Sequence, residues 1–482
     1  MKHLWTVLGL TFWRTSAIAA PFDEVTTTVD QFLASRPLVA GVSVRLVKGT
    51  RVVYERHFRG YTSATVEPIA SATKWPSSAT IMKLVEQGLV NLDVPISTYL
   101  PQFTGQKGTM TLRQLFSHTS GLPGSSSFIS NRDITLTQAV NQIATSTPMN
   151  TAPGTEFSYG GVSMHVGGRI AEVVTGQSWE ALFAQRVSGP IGMTQTDYQG
   201  LGATQNPQIA GGARTSLSDY GKFLAMLKNG GMAGNVQILS PDSVQEMMKD
   251  QTNGLPIGFT PTTPATTRYG FGTWRDIVAP DGRLIEGSDP GAFGFTPWIN
   301  FEGDYYGIFM VRSTLSNVLP TVNLIREIAR RDMQLIPIRL SGNINISQFA
   351  GQLSGETLTL TVKTISGTFV AQKSLEVDSN GDFSTDWNLQ PGEYLITGKT
   401  GTALSETAPV KISGDGALGV NYSLNNGDVD NDNEVGPGDF EIVVENFGSV
   451  LALGSEGDLD GDGEVGPGDF EIVVHNFGIS GS

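Results

Sequence analysis

Cysteine is absent from all 482 residues of the chain. Without it no disulfide can stabilise the fold, and no thiolate can serve as a nucleophile or as a zinc ligand. Stability must therefore come from buried side chains or from bound ions.

The chain also lacks a hydrophobic run that is long enough to span a membrane. One short run, LWTVLGLTFW at residues 4–13, follows Lys2 and His3 and precedes TSAIAAP. A short apolar run that ends in an Ala-x-Ala pattern is typical of a secretory signal peptide, whereas a membrane helix needs about 20 apolar residues. We predict that residues 1–19 are a signal peptide, with a retained anchor or a short buried helix as the alternatives. The mature protein is then secreted, and it is extracellular, attached to a cell surface or periplasmic.

Positive charge is missing from one end of the chain. The formal net charge is -15, and residues 426–482 contain 14 Asp or Glu residues but no Lys or Arg. The remainder is close to neutral, so the charge gives no reason to expect nucleic acid binding.

The length predicts more than one domain, and two regions lie between the predicted signal peptide and this acidic end. In residues 20–335, strand patterns such as VAGVSVRLVKG and YYGIFMVRS lie at both ends, with helical patterns such as DYGKFLAMLKNGG between them. This order predicts an α+β domain whose first and last strands meet in an antiparallel sheet. Residues 336–425 alternate apolar and polar side chains between turn signals, which predicts an all-β sandwich. That region is similar to the carboxypeptidase regulatory-like or immunoglobulin-like spacers of secreted enzymes.

The acidic end, residues 426–482, is a duplicated segment. GDVDNDNEVGPGDFEIVVENFG begins at Gly427, and GDLDGDGEVGPGDFEIVVHNFG begins at Gly457. Each copy places carboxylates at positions 1, 3, 5 and 12 of a loop and a backbone carbonyl at position 7, which suits the oxygen ligands that calcium prefers. We predict two structural Ca²⁺ ions, without which the clustered carboxylates repel one another. The predicted ligands are Asp428, Asp430, Asp432, Glu434 and Asp439 in the first loop, and Asp458, Asp460, Asp462, Glu464 and Asp469 in the second.

A helix is predicted after each loop, with an apolar stripe formed by Phe440, Val443, Val444 and Phe447 in the first copy. This small α-helical module resembles a dockerin, the docking module of secreted assemblies. The resemblance implies a cohesin-like or cell-surface protein as a partner. At loop positions 10 and 11, where dockerins often carry Ser-Thr pairs, this chain has Pro-Gly in both copies.

The catalytic candidates begin with IASATKWP at residues 69–76, which contains Ser71 and Lys74. Helical spacing places Lys74 one turn after Ser71, within reach of its hydroxyl. A helix N-terminus favours negative charge on the serine oxygen, and a desolvated lysine can accept the serine proton. Alone, the motif is also compatible with an ordinary polar step at the start of a helix.

Other motifs give this pair a context: MTLRQLFSHTSGLP and PGTEFSYGGVSMHVGGRIAEVVTG follow it in order. Together they resemble the serine β-lactamase-related hydrolases, which include class C β-lactamases, D-alanyl-D-alanine peptidases and esterases of the same fold. The resemblance implies that Ser71 is acylated, that Lys74 is its base, and that Tyr159 is a partner base whose pKa is lowered by ammonium groups. It also implies an oxyanion hole made by the amides of Ser71 and Ala292, and it implies no catalytic cofactor.

Three positions of the second and third motifs bear on the substrate. Gly161 replaces the Asn of the family's Tyr-x-Asn motif, and Asp289 replaces the cation of its third motif, while Gly291 matches the glycine that allows close approach of the substrate. Loss of the Asn removes a hydrogen bond to peptides and β-lactams, and a carboxylate at Asp289 should repel penicillins; alternatively, Asp289 is a turn residue. We interpret His118 and His165 as turn and packing residues.

The resulting prediction is an exported serine hydrolase that acts on uncharged carboxylic esters or amides. The alternatives are a D-amino-acid peptidase or weak β-lactamase, and a catalytically inactive protein that binds cell walls or serves in an assembly.

Overall fold

The structure is a computed structural model that describes residues 20–261, 268–450 and 457–482. The predicted signal peptide lies outside these ranges. The strands of the first domain are β1 Val42–Lys48, β2 Arg51–Phe58, β3 Val66–Pro68, β4 Phe157–Ser158, β5 Arg214–Ser216, β6 Met232–Ala233, β7 Val236–Gln237, β8 Ile257–Phe259, β9 Trp274–Val278, β10 Leu284–Ser288, β11 Thr296–Asn300 and β12 Tyr305–Val311.

The helices of this domain lie mostly between β2 and β12. They are α1 Asp23–Ala34, α2 Lys74–Glu86, α3 Gly105–Gly108, α4 Leu112–Phe116, α5 Ser127–Ser130, α6 Leu136–Ser146, α7 Val162–Thr175, α8 Trp179–Phe183, α9 Gly189–Ile191, α10 Leu217–Lys228, α11 Pro241–Met248 and α12 Leu315–Asp332. A 3-10 turn at Ala70–Thr73 leads directly into α2.

A six-stranded antiparallel sheet organises the domain, with the strand order β2-β1-β12-β11-β10-β9. Strand β1 pairs with β12 over its whole length, from Val42 opposite Val311 to Lys48 opposite Tyr305. The predicted meeting of the first and last strands is therefore confirmed, as is the α+β fold class of this region.

The central strand β12 is buried on both faces because the sheet lies between two hydrophobic cores. Tyr306, Ile308 and Met310 pack into the core shared with the central helices, whereas Phe309 and Val311 pack under α1 and α12. Each such burial contributes about 1.5–3 kcal/mol relative to an exposed side chain. The neighbouring strand β11, which follows the third motif, lies between the same two cores, with Ile299 in one and Trp298 in the other.

The next region contains two four-stranded sheets that share one hydrophobic core. Its strands are β13 Ile338–Ile346, β14 Thr357–Thr364, β15 Phe369–Glu376, β16 Asp382–Trp387, β17 Gly392–Lys399, β18 Glu406–Ile412, β19 Gly416–Ala417 and β20 Tyr422–Leu424. No helix is assigned between residues 338 and 424, a range that the structure describes throughout, in keeping with the alternating pattern.

The acidic end forms two short helices, α13 Pro437–Glu445 and α14 Pro467–Asn476. The predicted apolar stripe is only partly right, because Val443 is buried while Val444 and Phe447 are exposed. The exposed ring of Phe440 meets Phe470 of the second copy, with 5.1 Å between the ring centroids. Among the described residues, no helix combines the length and the apolar character needed to cross a bilayer.

Candidate functional site

Ser71 lies in the tight turn between β3 and α2. Ala70, directly before it, has a φ of 45° although it is not glycine. Such a backbone conformation costs on the order of 1–3 kcal/mol and is often found at active sites. The strained residue therefore lies directly before Ser71, the predicted nucleophile.

Lys74 is the first residue of α2 and is almost completely buried. Its Nζ atom donates to Ser71 Oγ at 3.0 Å and to the carbonyl oxygen of Ala210 at 2.9 Å. Burial lowers the pKa of Lys74 to about 8, and the nearby carboxyl of Asp289 opposes this shift. A substantial neutral fraction at mildly alkaline pH makes this lysine able to accept a proton.

Tyr159 follows β4 and completes the cluster. The Lys74 Nζ atom lies 4.5 Å from the centroid of its ring, and the side chains of Tyr159 and Ser71 line the same cavity. The expected lowering of the tyrosine pKa is wrong. Burial, followed by the charge of Asp289, raises the pKa of Tyr159, although the nearby Ser71 side chain lowers it in part. Tyr159 is therefore a neutral phenol that can donate a hydrogen bond to an oxygen at Ser71.

The third motif follows β10, and Gly291 brings it against the Ser71 turn. A Cβ atom at Gly291 would lie 1.9 Å from the carbonyl oxygen of Ile69, so only glycine allows this approach. The approach places Ala292 beside Ser71, and both residues line one cavity.

Asp289 does not face that cavity. Its side chain is completely buried, and its Oδ2 atom accepts a hydrogen bond from the Trp75 amide at 3.0 Å. The expectation that its carboxylate meets the substrate, and would repel penicillins directly, is therefore wrong. The carboxylate instead caps the positive N-terminal end of α2, where a negative group is favoured.

Gly161 is the N-cap residue of α7, and its amide donates to the Gly124 carbonyl oxygen at 2.7 Å. A Cβ atom at this position would come within 3.1 Å of Ile129. The methyl end of Ile129 thus borders the space that the family's Asn side chain would use.

Two cavities meet at Ser71 and Tyr159. The larger has a volume of about 580 Å³ and is lined by Ser71, Pro123, Gly124, Ser125, Asn150, Ser158, Tyr159, Gly160, Phe259, Pro261, Trp274, Pro290, Ala292 and Leu315. The smaller, of about 240 Å³, is lined by Ala70, Ser71, Lys74, Ile129, Tyr159, Gly160, Gly161, His165, Leu201, Gln208, Ala210, Gly211 and Phe293. None of the residues that line the larger cavity carries a charge.

Sequence reasoning interpreted His165 as a packing residue, which its burial bears out, and it did not name Trp274 or Ala210. His165 lines the smaller cavity, with its Nε2 atom 2.7 Å from the Oδ1 atom of Asn206, and burial lowers its pKa to about 4, so the ring is neutral. Trp274 forms a wall of the larger cavity, and Ala210 binds Lys74 through its backbone. No local motif marks these positions, because each reaches the site through the tertiary fold.

The acidic loops bring some of their predicted ligands together. Oxygen atoms of Asp428, Asp430 and Asp439 lie within 4.8 Å of one another, and so do those of Asp458, Asp460 and Asp469. Asp432 and Asp462 lie outside these groups and accept the amides of Glu434 and Glu464 at 2.8 and 2.9 Å. Asn433 and Gly463, at loop position 6, have φ values of 71° and 92°. This is the sharp turn that a calcium loop requires.

Four of these loop carboxylates are buried, unlike most carboxylates at a protein surface. Asp428, Asp439, Asp458 and Asp469 are each at most 1% exposed. Lys399 pairs with Asp428, whereas within the described ranges no Lys or Arg forms an ion pair with the second group. Because buried carboxylates are costly without a cation, the donor set fits a hard divalent ion.

The fold and the Ser71, Lys74 and Tyr159 cluster define a β-lactamase-type serine hydrolase. Residues 25–319 match the family model described as "Beta-lactamase". The chain therefore belongs to the beta-lactamase family, and the prediction of an enzyme of the serine hydrolase class is confirmed at that level.

Individual relatives cover less of the chain. It is 29% identical over 210 residues to Esterase EstB from Burkholderia gladioli, which is 38% of this chain and 52% of the esterase. It is also 29% identical over 177 residues to Protein flp from Staphylococcus aureus strain N315, which is 33% of this chain and 35% of that protein. The chain thus spans about a third to a half of the length of these relatives.

Solved structures agree on the fold of the first domain. A protein assigned as a beta-lactamase from Bacteroides dorei DSM 17855 has a TM-score of 0.59 and 29% identity, over 65% of this chain and all of that one. EstCE1, a hydrolase with promiscuous acyltransferase activity, has a TM-score of 0.53 and 18% identity, over 63% of this chain and 98% of its own. The second likeness shows the fold alone.

Proposed function

We propose that this protein hydrolyses uncharged carboxylic esters or amides through an acyl-enzyme on Ser71. The observation that carries the proposal is the 3.0 Å contact between Lys74 Nζ and Ser71 Oγ, made by a lysine that is buried and therefore readily deprotonated. No metal or cofactor is assigned to this reaction.

The proposed reaction begins when neutral Lys74 takes the proton of Ser71 and the serine oxygen attacks the substrate carbonyl carbon. The amides of Ser71 and Ala292 hold the oxyanion. As the bond to the alcohol or amine breaks, the proton passes from Lys74 through Tyr159 to the leaving group. Water then attacks the acyl carbon, Ser71 regains a proton, and the carboxylic acid departs.

The substrate class follows from the walls of the site. The larger cavity is bounded by apolar and small neutral side chains, and the carboxylate that departs from the family pattern, Asp289, is buried behind Lys74. An uncharged ester matches such walls better than a substrate whose own carboxylate needs a cation. The esterase relative supports the same class.

The experiment combines a fluorophosphonate probe with short-chain nitrophenyl esters and a chromogenic cephalosporin. We expect labelling and ester turnover in the wild-type protein, their loss in Ser71→Ala, and their retention in Ser125→Ala, a serine that lines the same cavity. Labelling that persists in Ser71→Ala would reject the assignment of the nucleophile. Faster turnover of the cephalosporin than of the esters would favour the β-lactamase alternative, and no labelling at all would favour an inactive binding protein.

We further propose that residues 336–425 are a β-sandwich spacer and that residues 426–482 are a dockerin-like calcium module. Asp428, Asp430 and Asp439 would hold one ion, and Asp458, Asp460 and Asp469 the other, with backbone carbonyls of Glu434 and Glu464. The buried, mutually close carboxylates support this, because a bound Ca²⁺ would neutralise them.

We also propose that the protein is exported and tethered. The protein would be secreted through residues 1–19 and held by a cohesin-like or cell-surface protein. The test compares calcium-dependent retention on the producing cells for the full chain and for a variant in which Asp428, Asp439, Asp458 and Asp469 are all Asn. Equal retention of the two proteins, or accumulation of both inside the cell, contradicts this part.

A further inference from the structure

Asp289 occupies a position behind the active site rather than in it. It follows strand β10, none of its surface is exposed, and its Oδ2 atom is bound by the Trp75 amide at 3.0 Å. Trp75 is the residue after Lys74, so the carboxylate is anchored to the helical turn that carries the lysine. Its other oxygen, Oδ1, has no hydrogen-bond partner within the described residues. A carboxylate held in this way costs free energy unless a charge nearby offsets its burial.

The groups around this carboxylate are mostly neutral. Burial lowers the pKa of His118, and the charge of Lys74 adds to this shift. Burial also raises the pKa of Tyr159, Tyr220 and Tyr269, and the charge of Asp289 contributes to each of these shifts. The histidine ring and the three phenols therefore carry no charge near neutral pH. Ser71, the remaining neighbour of the lysine, is neutral as well.

Lys74 and Asp289 are thus the two groups in this described cluster that can carry opposite charges. We propose that Asp289 is a positioning residue that acts through Lys74, because its buried carboxyl group is bound to the amide of the next residue, Trp75, and supplies the counter-charge beside the catalytic lysine. This inference rests on the proposed acyl-enzyme function. In this interpretation Asp289, which departs from the family's third motif, controls the base and does not contact the substrate.

The bond from the Trp75 amide holds the carboxyl group of Asp289 at the turn that carries Lys74, and electrostatics gives the direction of the effect. Burial lowers the pKa of Lys74 to about 8, and Asp289 is the one charge that raises it again. Burial raises the pKa of Asp289, and Lys74 opposes that shift in turn. Because the two groups are coupled, the low-pH limb of the rate profile belongs to the pair and not to the lysine alone.

Asp289→Asn is the sharpest test, since asparagine keeps an acceptor for the Trp75 amide and removes only the charge. Without the carboxylate the ammonium form of Lys74 loses its counter-charge, so the lysine releases its proton at lower pH. We expect the low-pH limb of kcat/KM to move to lower pH, with KM nearly unchanged. The fluorophosphonate labelling rate at pH 6, relative to pH 9, should rise at least about fivefold over the wild-type ratio.

Asp219→Asn is the matched control. Asp219 is also a buried carboxylate beside a lysine, Lys222, and its Oδ2 atom accepts the Gln195 amide at 2.6 Å, but it lies on α10. This variant should lose stability without moving the pH limb. Asp289→Ser removes the charge through a different side chain and should move the limb in the same direction if the Asn variant folds poorly.

The outcomes are distinguishable. If the wild-type protein is neither labelled nor active, the proposed function fails. If the wild-type protein is active and both Asp289 variants keep its pH limb, Asp289 is uncharged throughout and this inference is overturned while the proposed function stands. A lower melting temperature with an unchanged limb would show that Asp289 is only a helix cap.

Discussion

The catalytic cluster and the acidic loops both gather ionisable side chains, but by opposite means. In the first domain, Lys74 binds Ala210, which is 136 residues away in sequence, and Trp75 binds Asp289, which is 214 residues away. In the loops, the carboxylates of Asp439 and Asp469 bind backbone amides at most 10 residues away. One site is assembled by the fold, and the other is assembled by its own loop.

This difference determines how each site tolerates its charges. The catalytic cluster adjoins the largest hydrophobic core in the described chain through Ala72 and Trp75, and Tyr159 packs in a small aromatic core of its own. This packing keeps the groups of the cluster desolvated and mostly neutral. The acidic module contributes six buried apolar residues to a small core that also contains Leu404 of the preceding region, and its buried carboxylates all carry the same sign of charge. A large core can impose a shifted pKa on a lysine, whereas a small module needs a counter-ion to hold its acids together.

The largest effect should come from removing the base. In Lys74→Ala, kcat/KM for a nitrophenyl ester should fall about 10³-fold, because proton transfer at Ser71 loses its acceptor. Calcium binding by the acidic loops should not change. The measurement is steady-state turnover beside a calcium titration of the same preparation.

Lys48→Met is the control for this variant. Burial also lowers the pKa of Lys48 to about 8, but its Nζ atom donates to the carbonyl oxygens of Met333 and Ile336, far along the chain from Ser71. The folded Lys48→Met protein should keep kcat/KM within about twofold. A comparable loss in both variants would mean that packing, and not the contact with Ser71, explains the effect.

The same contrast explains what the sequence could predict. The Ser71 and Lys74 pair and the spacing of the acidic loops are local patterns, and the structure places Ser71 beside Lys74 and three acids of each loop together. The pairing of β1 with β12 was predictable because apolar strand patterns stand at both ends of the domain.

The features that sequence reasoning missed depend on what lies across the fold. The burial of Asp289, the raised pKa of Tyr159 and the presence of His165 in a cavity all result from packing between distant segments. Likewise, Phe447 has an apolar side chain at a helical spacing, yet nothing in the spacing tells which side of α13 the small core covers. The spacing of apolar residues predicts one face of a helix, but only the tertiary fold determines what that face packs against.

A smaller effect is expected from damaging one acidic loop. The Oδ1 atom of Asp469 accepts the amides of Leu459 and Asp460, and its Oδ2 atom accepts that of Gly466, so both oxygens organise the loop. Asp469→Asn should weaken calcium binding by the second loop about 10–100-fold, because it removes a charge and one acceptor. Isothermal titration of the full chain with Ca²⁺ measures this change.

Glu471→Gln serves as the matched control, since Glu471 is an exposed acid on α14 outside the carboxylate group. Its calcium affinity should stay near that of the wild-type chain. Ester turnover should be the same in all three proteins, with or without a chelator. If Asp469→Asn bound calcium normally, or if chelation abolished turnover, the separation of the two sites would not hold.

The smallest effect is a pH dependence that only the catalytic cluster should show. Because burial lowers the pKa of Lys74 to about 8 and the base must be neutral to accept the serine proton, kcat/KM should rise with pH and level off above about 8. Below that value it should fall about tenfold per pH unit. Ester hydrolysis from pH 6 to 9.5, corrected for the spontaneous reaction, gives the profile.

The profile should be identical with calcium and with a chelator, since the loops do not touch the lysine. A flat profile, or a rate that declines as the pH rises through 8, would mean that Lys74 works as an ammonium ion rather than as the base.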